Sequence, residues 1–360
     1  MSVLARLRWR RSWSAALASR KVGDAEATEN HYETSLRAVA ALPPGNSLRR
    51  KSLAALLKLQ IAQKSYASAV STAETLIDEQ HHARRLDRVA IATTYTELAS
   101  LYQKRASHEA VATSLERALV LFREQVAAFA AHGEEVRRLR ESAPRGVGPE
   151  KIWRTAKLSV AGLRYFSAML KSLAAYPQAL EQLTDVRVEA SNIAGALALQ
   201  RELIDFKLTT DVYGGANILN DLHYVLALQQ QHGLFDDDSP RLAQSYVELL
   251  ETGDNEDVSR LLKAMTFLYA VHVSASDFPS ARTVARRGLN IASRAWGESS
   301  TESLRWLLAG GESSYAAGEY REALTVSKAV LAATNGDQEA RRDEFRRALE
   351  LEANAERALG

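Results

Sequence analysis

The chain has 360 residues, of which 46% are hydrophobic and 25% are charged, a composition typical of a globular protein with a large buried core. It contains no cysteine, which excludes disulfide bonds and thiolate metal sites. No apolar stretch approaches the roughly 18–20 residues that span a bilayer. A net charge of +2 gives no global reason to expect nucleic acid as a partner.

Basic charge is concentrated at the N-terminus. Residues 1–23 carry six basic residues and no acid, which leaves 40 basic and 44 acidic residues in the rest of the chain. A basic, Ser-containing, acid-free segment resembles a mitochondrial targeting segment. We therefore expect a mitochondrial location, with the cytoplasm as the alternative. The competing interpretation is that these residues form the first helix of the fold, with Trp9, Trp13 and Leu17 packing inward.

A second helix is expected from about Asp24 to Ala41, because Pro43-Pro44-Gly45 ends it. Beyond it, a short signature recurs, in which an aromatic residue or histidine opens an apolar helix. Its positions are Tyr66, His108, Phe235, Phe278 and Tyr320, and Tyr176 fits after an insertion. The intervals are 42 residues from Tyr66 to His108, then 43 and 42 from Phe235 to Tyr320. A repeat of this length made of two helices indicates a solenoid.

Apolar or small residues precede the signature by ten, nine and six positions, as Leu98, Ala99 and Tyr102 do for His108. The patterns Tyr95-x-x-Leu98-Ala99-x-x-Tyr102 and Gly318-Glu-Tyr-Arg-Glu-Ala-Leu324 resemble the tetratricopeptide-repeat (TPR) superfamily. The period near 42 is similar to the kinesin-light-chain type. The resemblance implies an all-α, right-handed superhelical solenoid of antiparallel helix pairs that binds other proteins.

The middle of the chain departs from this regularity. The helix after His108 is expected to continue to Glu141 and to end at the Pro- and Gly-rich segment 142–149, with a restart near Trp153. The helix at Tyr176 is expected to run through Phe206 to Gly214-Gly215. Because the interval fails between His108 and Phe235, we expect the specific function in this irregular middle.

These patterns predict five segments. They are a basic N-terminal segment 1–23, TPR-like repeats 24–132, a long-helix insertion and irregular repeat 133–215, TPR-like repeats 216–335, and a capping helix 336–360.

The sequence contains few motifs that indicate catalysis or the binding of a metal or a cofactor. None of the eight histidines forms a metal-ligand pair, and we expect His108 and His272 at buried core positions. Ser239-Pro240 after Asp236-Asp237 predicts a helix start with Ser as the cap, with a cation site as the alternative. No phosphate loop or nucleophile motif is present. We predict no enzyme activity, no catalytic residue, no metal and no cofactor.

The TPR resemblance implies a partner groove on the first helices of the pairs. The predicted groove residues are Tyr95, Ser100, Gln103, Arg164 and Tyr165. Some TPR domains bind chaperone C-terminal carboxylates through basic and amide residues. Here Glu97 and Ser100 occupy matching positions beside Lys58, so we expect no tight binding to such a tail.

The sequence thus predicts a non-catalytic scaffold or adaptor that binds protein partners, most simply a multi-subunit complex, without a membrane span. The layout resembles, more weakly, the mitochondrial TPR proteins of complex III assembly and of the AAA-protease adaptor type, which implies assistance to the assembly or turnover of a large complex. The alternatives are a lineage-specific structural subunit of a large assembly, a cargo adaptor, and an RNA-associated helical-repeat protein. Nucleic acid is expected only within a ribonucleoprotein, because the basic runs lack interleaved aromatic residues.

Overall fold

The computed structural model describes residues 3–141, 174–210, 215–252, 257–334 and 341–360. All regular elements within these ranges are α-helices. They are α1 (Val3–Lys21), α2 (Ala25–Val39), α3 (Ser47–Ala62), α4 (Tyr66–His81), α5 (Arg88–Lys104), α6 (His108–Glu141), α7 (described over 174–189), α8 (Ile193–Thr210), α9 (Gly215–His232), α10 (Ser239–Thr252), α11 (Val258–Ser274), α12 (Phe278–Trp296), α13 (Thr301–Ala316), α14 (Tyr320–Thr334) and α15 (Arg342–Leu359).

The chain forms two compact units, Met1–Leu199 and Gln200–Gly360, and the division falls within α8. In each unit consecutive helices pack against each other, as α1 does on α2, α5 on α6 and α12 on α13. The predicted all-α architecture of antiparallel helix pairs is confirmed. None of the described helices combines the length and the apolarity that crossing a membrane requires.

The two helices of a pair are joined by a recurring tight turn. At Lys64, whose φ is 59°, the backbone is left-handed, and the N–H of Ser65 donates to the carbonyl of Gln60 at 2.9 Å. This bond and the one from the Lys64 N–H to Ile61 form a Schellman motif, which satisfies carbonyls at the helix end. The left-handed residues of these turns are Gly23, Lys64, Ala106, Ser191, Gly233, Ser276 and Gly318.

Successive left-handed residues are 41, 42, 85, 42, 43 and 42 residues apart. The 85-residue step includes positions outside the described residues, and the regular interval is present again from Ser191 to Gly233. The expectation that the interval fails between His108 and Phe235 is therefore wrong from Ser191 onward. The position missing from the sequence pattern is Ile193, which begins α8 two residues after Ser191.

The expectation of one helix from Tyr176 to Phe206 is also wrong. The Asn192 N–H donates to the carbonyl of Arg187 at 2.7 Å, and the Asn192 carboxamide oxygen accepts from the Gly195 N–H at 3.0 Å. These bonds end α7 and begin α8. Tyr176 is not the first residue of a second helix. It is buried in α7, with its ring centroid 5.9 Å from that of Phe122.

Other signature positions begin their helices as predicted. Tyr66, His108, Phe278 and Tyr320 are the first residues of α4, α6, α12 and α14. Phe235 is the exception, since α10 begins four residues later at Ser239. The prediction that Ser239 caps this helix is wrong, because its buried hydroxyl donates to the Asp236 carboxylate and accepts from Gln229.

The two histidines are less buried than expected. The His108 side chain is 69% exposed and lies 3.4 Å from the Glu189 carboxylate. Its place at the first residue of α6 leaves the ring at the helix end instead of in the core. His272 is half-buried, with Nδ1 3.2 Å from the Asp277 carboxylate.

Residues 3–21 form the first helix of the fold. Trp9 is buried against Val39 and Leu42, and its Nε1–H donates to the Ser52 hydroxyl at 2.9 Å. Trp13 is half-buried and stacks on Trp9 with ring centroids 5.2 Å apart. Leu17, expected to pack inward, is 42% exposed, and the fully buried residue on the inner face is Ala16. The restart near Trp153, Arg164 and Tyr165 lie outside the described residues.

The last helix covers the final pair. Ala348, Leu351 and Ala355 of α15 are buried against α13 and α14, and Arg347 binds both oxygens of Glu312 at 2.8 Å. The close approach depends on Gly311, where an added Cβ would lie 2.7 Å from Val326 Cγ1.

The two neighbouring glycines of α13 provide a matched test of this packing. Gly311→Ala is expected to destabilise the fold by about 1–3 kcal/mol because the methyl group overlaps Val326. Gly310→Ala meets nothing closer than 3.9 Å and should raise the free energy of unfolding by up to about 1 kcal/mol through helix propensity. Urea unfolding measures both, and equal effects would contradict the packing described here.

Candidate functional site

A groove runs between α4, α5 and α6 of the first unit. Its volume is about 410 Å³, within the range of small-molecule and side-chain pockets. α5 forms the floor, and the second helices of two successive pairs, α4 and α6, form the walls. The lining residues are Glu74, Ile77, Tyr95, Leu98, Tyr102, Ser107, Glu109, Ala110, Thr113, Ser114 and Arg117.

Helical spacing explains why the floor is aromatic. Tyr95, Leu98 and Tyr102 are three and four residues apart, so they share one face of α5. Tyr95 is only 9% exposed and Leu98 is 4% exposed, whereas Tyr102 is half-buried at the end of the face. The floor therefore presents an apolar surface with a phenol at its edge.

The walls supply both signs of charge. The Tyr102 hydroxyl donates to Glu74 at 2.7 Å, and the Arg117 guanidinium lies 6.0 Å from the centroid of the Tyr95 ring. Burial, followed by the hydrogen bond to Glu74, raises the pKa of Tyr102, so the phenol stays protonated and donates. Arg117 is exposed and forms no ion pair with any carboxylate among the described residues. The groove can thus hold an apolar side chain on its floor and offer Arg117 to a carbonyl or carboxylate.

An equivalent groove of different chemistry is present in the second unit. Its walls are α12 and α14 and its floor is α13, with a volume of about 110 Å³. An offset of 212 residues, five periods, relates the two linings. At this offset Leu307 replaces Tyr95 and Ser314 replaces Tyr102. The backbone arrangement therefore recurs, whereas the aromatic and hydrogen-bonding floor belongs to the first groove.

The predicted groove residues are only partly brought together. Tyr95 lies in the groove between α4, α5 and α6. Ser100 is about 140° around α5 from Tyr95 at 100° per residue and donates to the Thr96 carbonyl. Gln103 is exposed and does not line the groove. Arg164 and Tyr165 lie outside the described residues. Partner binding by these five residues stays a prediction.

Sequence reasoning missed three functional candidates in the groove. Tyr102 was assigned to repeat packing, although its spacing of seven residues from Tyr95 places both on one helical face. Glu74 and Arg117 lie on α4 and α6, so no pattern within α5 could associate them with Tyr95.

Glu97, at a position matched to the chaperone-tail site of some TPR domains, is half-buried on the other side of α5. Burial raises the pKa of Glu97, and the charge of Lys58 opposes this shift without cancelling it. That chaperone tails do not bind tightly stays a prediction.

Among the described residues, no three His, Asp or Glu side chains are grouped so that they could hold a metal ion. The acidic run before α10 is paired with cations instead, because Asp236 contacts Arg201 and Asp238 contacts Arg241 at 2.8 Å. The bond to Arg241 lowers the pKa of the Asp238 carboxyl. At Asp236, burial acts to raise the pKa, and the bonds from Ser239 and Arg201 outweigh it and lower the pKa. The arrangement favours a helix start over a cation site.

The chain matches no protein-family model and no curated protein. Solved structures of TPR-type proteins do match. The TPR-like repeats of a Podosopora anserina kinesin light chain are 14% identical, with 69% of this chain and 97% of that chain covered and a TM-score of 0.38. A TPR protein of Parabacteroides merdae is 12% identical (97% and 99% covered, TM-score 0.37). The TPR2AB domain of yeast Sti1, in complex with pHSP90, is 12% identical (97% and 98% covered, TM-score 0.37).

At such TM-scores these matches carry no argument about partner or activity. The resemblance to mitochondrial TPR proteins gains no support from them.

The raised pKa of Glu97 predicts a pH-dependent effect of its removal. A raised folded-state pKa means that the contribution of Glu97 to stability is full below the ordinary value of 4.5 and is lost as pH rises through the folded-state pKa. Glu97→Gln should therefore raise the urea midpoint at pH 7, and the gain should vanish below about pH 4.

Glu33→Gln is the control, because Glu33 is exposed on α2. It should leave the midpoint unchanged at either pH. A lower midpoint for Glu97→Gln at pH 7 would show that the Lys58 attraction outweighs burial.

Proposed function

We propose that the chain is a non-catalytic helical-repeat scaffold that binds a protein partner in the groove between α4, α5 and α6. The observation that carries the proposal is the floor of that groove, where Tyr95 and Tyr102 stand beside an exposed, unpaired Arg117. Tyr and Arg are the residues most enriched among those that dominate binding energy at protein interfaces. The equivalent groove in the second unit lacks both tyrosines, which makes the first groove the more specific surface.

The partner supplies an apolar side chain flanked by a carboxylate or a free carbonyl. The apolar group packs against Tyr95 and Leu98, and the oxygen accepts from Arg117. The Tyr102 hydroxyl is held by Glu74, so its ring is fixed before the partner arrives and little side-chain entropy is lost on binding.

The test converts the first groove to the chemistry of the second. Tyr102→Ser/Arg117→Ala introduces the residues found 212 positions later, Ser314 and Ala329. Because Arg117 is exposed and Tyr102 half-buried, the variant should keep its helices and lose roughly thirtyfold in partner affinity, the effect of about 2 kcal/mol that marks one interface hot spot. Quantitative co-purification from the source cells measures the recovered partner, with circular dichroism to confirm the helical content.

Arg321→Ala, an exposed arginine of α14 outside both grooves, is the control and should recover the partner as the natural chain does. Equal recovery by the double variant and the natural chain would refute the groove as the binding surface.

The finer role is proposed as assistance to the assembly or turnover of a large complex, with a mitochondrial location. Its support is the acid-free N-terminal segment. A fluorescent reporter fused after residues 1–23 should accumulate in mitochondria, and a diffuse reporter would remove this location. Because Trp9 and Ala16 are buried in the folded protein, the segment would act without being cleaved.

A structural subunit of a large assembly is the second candidate. It is favoured by α6, whose 34 residues are twice the 17 of its pair partner α5. At about 1.5 Å per residue α6 is about 50 Å long, enough to dock across a particle surface. Stoichiometric co-sedimentation with a megadalton particle would favour this candidate, and sedimentation as a free protein would favour the adaptor.

A further inference from the structure

A third groove, between α1 and α2 of the first unit, is lined by three arginines. Its volume is about 410 Å³, and its lining is Arg8, Arg11, Ser12, Thr34, Arg37 and Ala38. Residues three and four apart on each helix form two facing stripes, so the lining is a property of the helix pair. The charge of this groove is wholly positive, since none of its lining residues is acidic.

The three guanidinium groups lack counter-ions. No ion pair joins Arg8, Arg11 or Arg37 to a carboxylate within the described part of the chain, and Arg37 makes only a long bond of 3.4 Å to the Thr34 hydroxyl. Arg49, elsewhere in the unit, is by contrast paired with Glu79 at 2.7 Å. Three like charges in one groove repel each other, which lowers stability.

The contacts that fix the position of α1 lie on a different face of the helix from the groove. Trp9 and Trp13 pack inward there, and the Lys51 ammonium lies 5.8 Å and 5.1 Å from their ring centroids. The buried Ala16 lets α1 approach Tyr32 of α2. The three arginines are exposed and take no part in the core of this helix pair, so we expect their removal to leave the packing intact.

We propose that this groove binds an acidic segment of a protein partner, with the carboxylates of successive Asp or Glu residues paired to Arg8, Arg11 and Arg37. Guanidinium matches a carboxylate by two parallel hydrogen bonds, and two or more pairs along a groove fix the direction of the segment. Exposed Leu4 and Leu7, at 65% and 48%, border the groove on α1 and offer apolar contact to the same segment. The surface is separate from the groove of α4, α5 and α6, so either site can fail alone.

The concave shape favours a peptide over a lipid surface. A flat membrane would contact the outward face of α1 and leave the α2 stripe, with Arg37 and Thr34, without a ligand. A peptide side chain reaches between the helices and contacts both stripes.

Fluorescence anisotropy with a labelled peptide, Leu-Glu-Glu-Leu-Glu-Glu-Leu, measures the proposed binding on the full chain. We expect it to bind at least about tenfold more tightly than the same peptide with Gln for Glu, and to weaken as salt is raised. The variant Arg8→Gln/Arg11→Gln/Arg37→Gln, which keeps side-chain length, should lose that about tenfold preference with an unchanged thermal midpoint.

The charge-matched control is Arg10→Gln/Arg20→Gln/Lys21→Gln, which removes three exposed cations of α1 outside the groove. It should keep most of the affinity, and Tyr102→Ser should keep all of it. Equal losses in the two triple variants would reduce the effect to net charge and overturn the proposal. Equal binding of the Glu and Gln peptides would also overturn it.

Binding to vesicles of phosphatidylserine and phosphatidylcholine tests the alternative that the groove binds a membrane. Binding to these vesicles that is lost in the groove variant, without binding of the Glu peptide, would assign the surface to a membrane and overturn the proposal. If the groove variant melts earlier than the natural chain, the single variant Arg37→Gln replaces it, with the same two peptides and the same expected loss of preference.

Discussion

The left-handed turn between the two helices of a pair is the constraint on which the rest of the structure depends. It closes within three residues and bonds the chain back to the preceding helix, so the angle and the register of each pair are set locally. The turns recur at nearly equal intervals, so the helix pairs and the grooves between them recur at that interval too. The groove of α4–α6 and the groove of α12–α14 are 212 residues apart because five such intervals separate their helices. The grooves of α4–α6 and α12–α14 therefore differ mainly in the side chains that a similar backbone presents.

The helices and most of their first residues could be predicted from the sequence, because apolar periodicity directly reflects burial. The turn at Ser191 could not. Left-handed backbone is signalled by glycine, and Lys64, Ala106, Ser191 and Ser276 carry no such signal. Tyr176 was mistaken for a helix start because an aromatic residue with Ala179 three positions on is equally typical of any buried helical face.

The candidate site was predictable only in part, for a related reason. Tyr95 and Tyr102 lie on one helix, and their spacing is visible in the sequence. Their contacts to Glu74 and Arg117 join three helices, and those pairings depend on how the second helices flank α5. Ser100 was included because the TPR resemblance places it on the partner-binding face, although the rotation of the helix separates it from Tyr95.

Arginine serves two purposes in this fold. Several arginines join neighbouring helices across the surface, as Arg187 does with Glu116 and Arg347 with Glu312. Exposed pairs of this kind contribute only about 0–1 kcal/mol each. Within the described residues, Arg8, Arg11 and Arg37 form no such bridge, so their charge is available to a ligand.

The non-glycine residues in the left-handed turns have a consequence for the evolvability of the chain. Each holds its backbone against a cost of roughly 1 kcal/mol that glycine would not incur. Lys64, Ser191 and Ser276 line none of the grooves described above. Replacing these residues with glycine would therefore stabilise the fold. Such a change can offset destabilising changes in the grooves without altering the residues that line them.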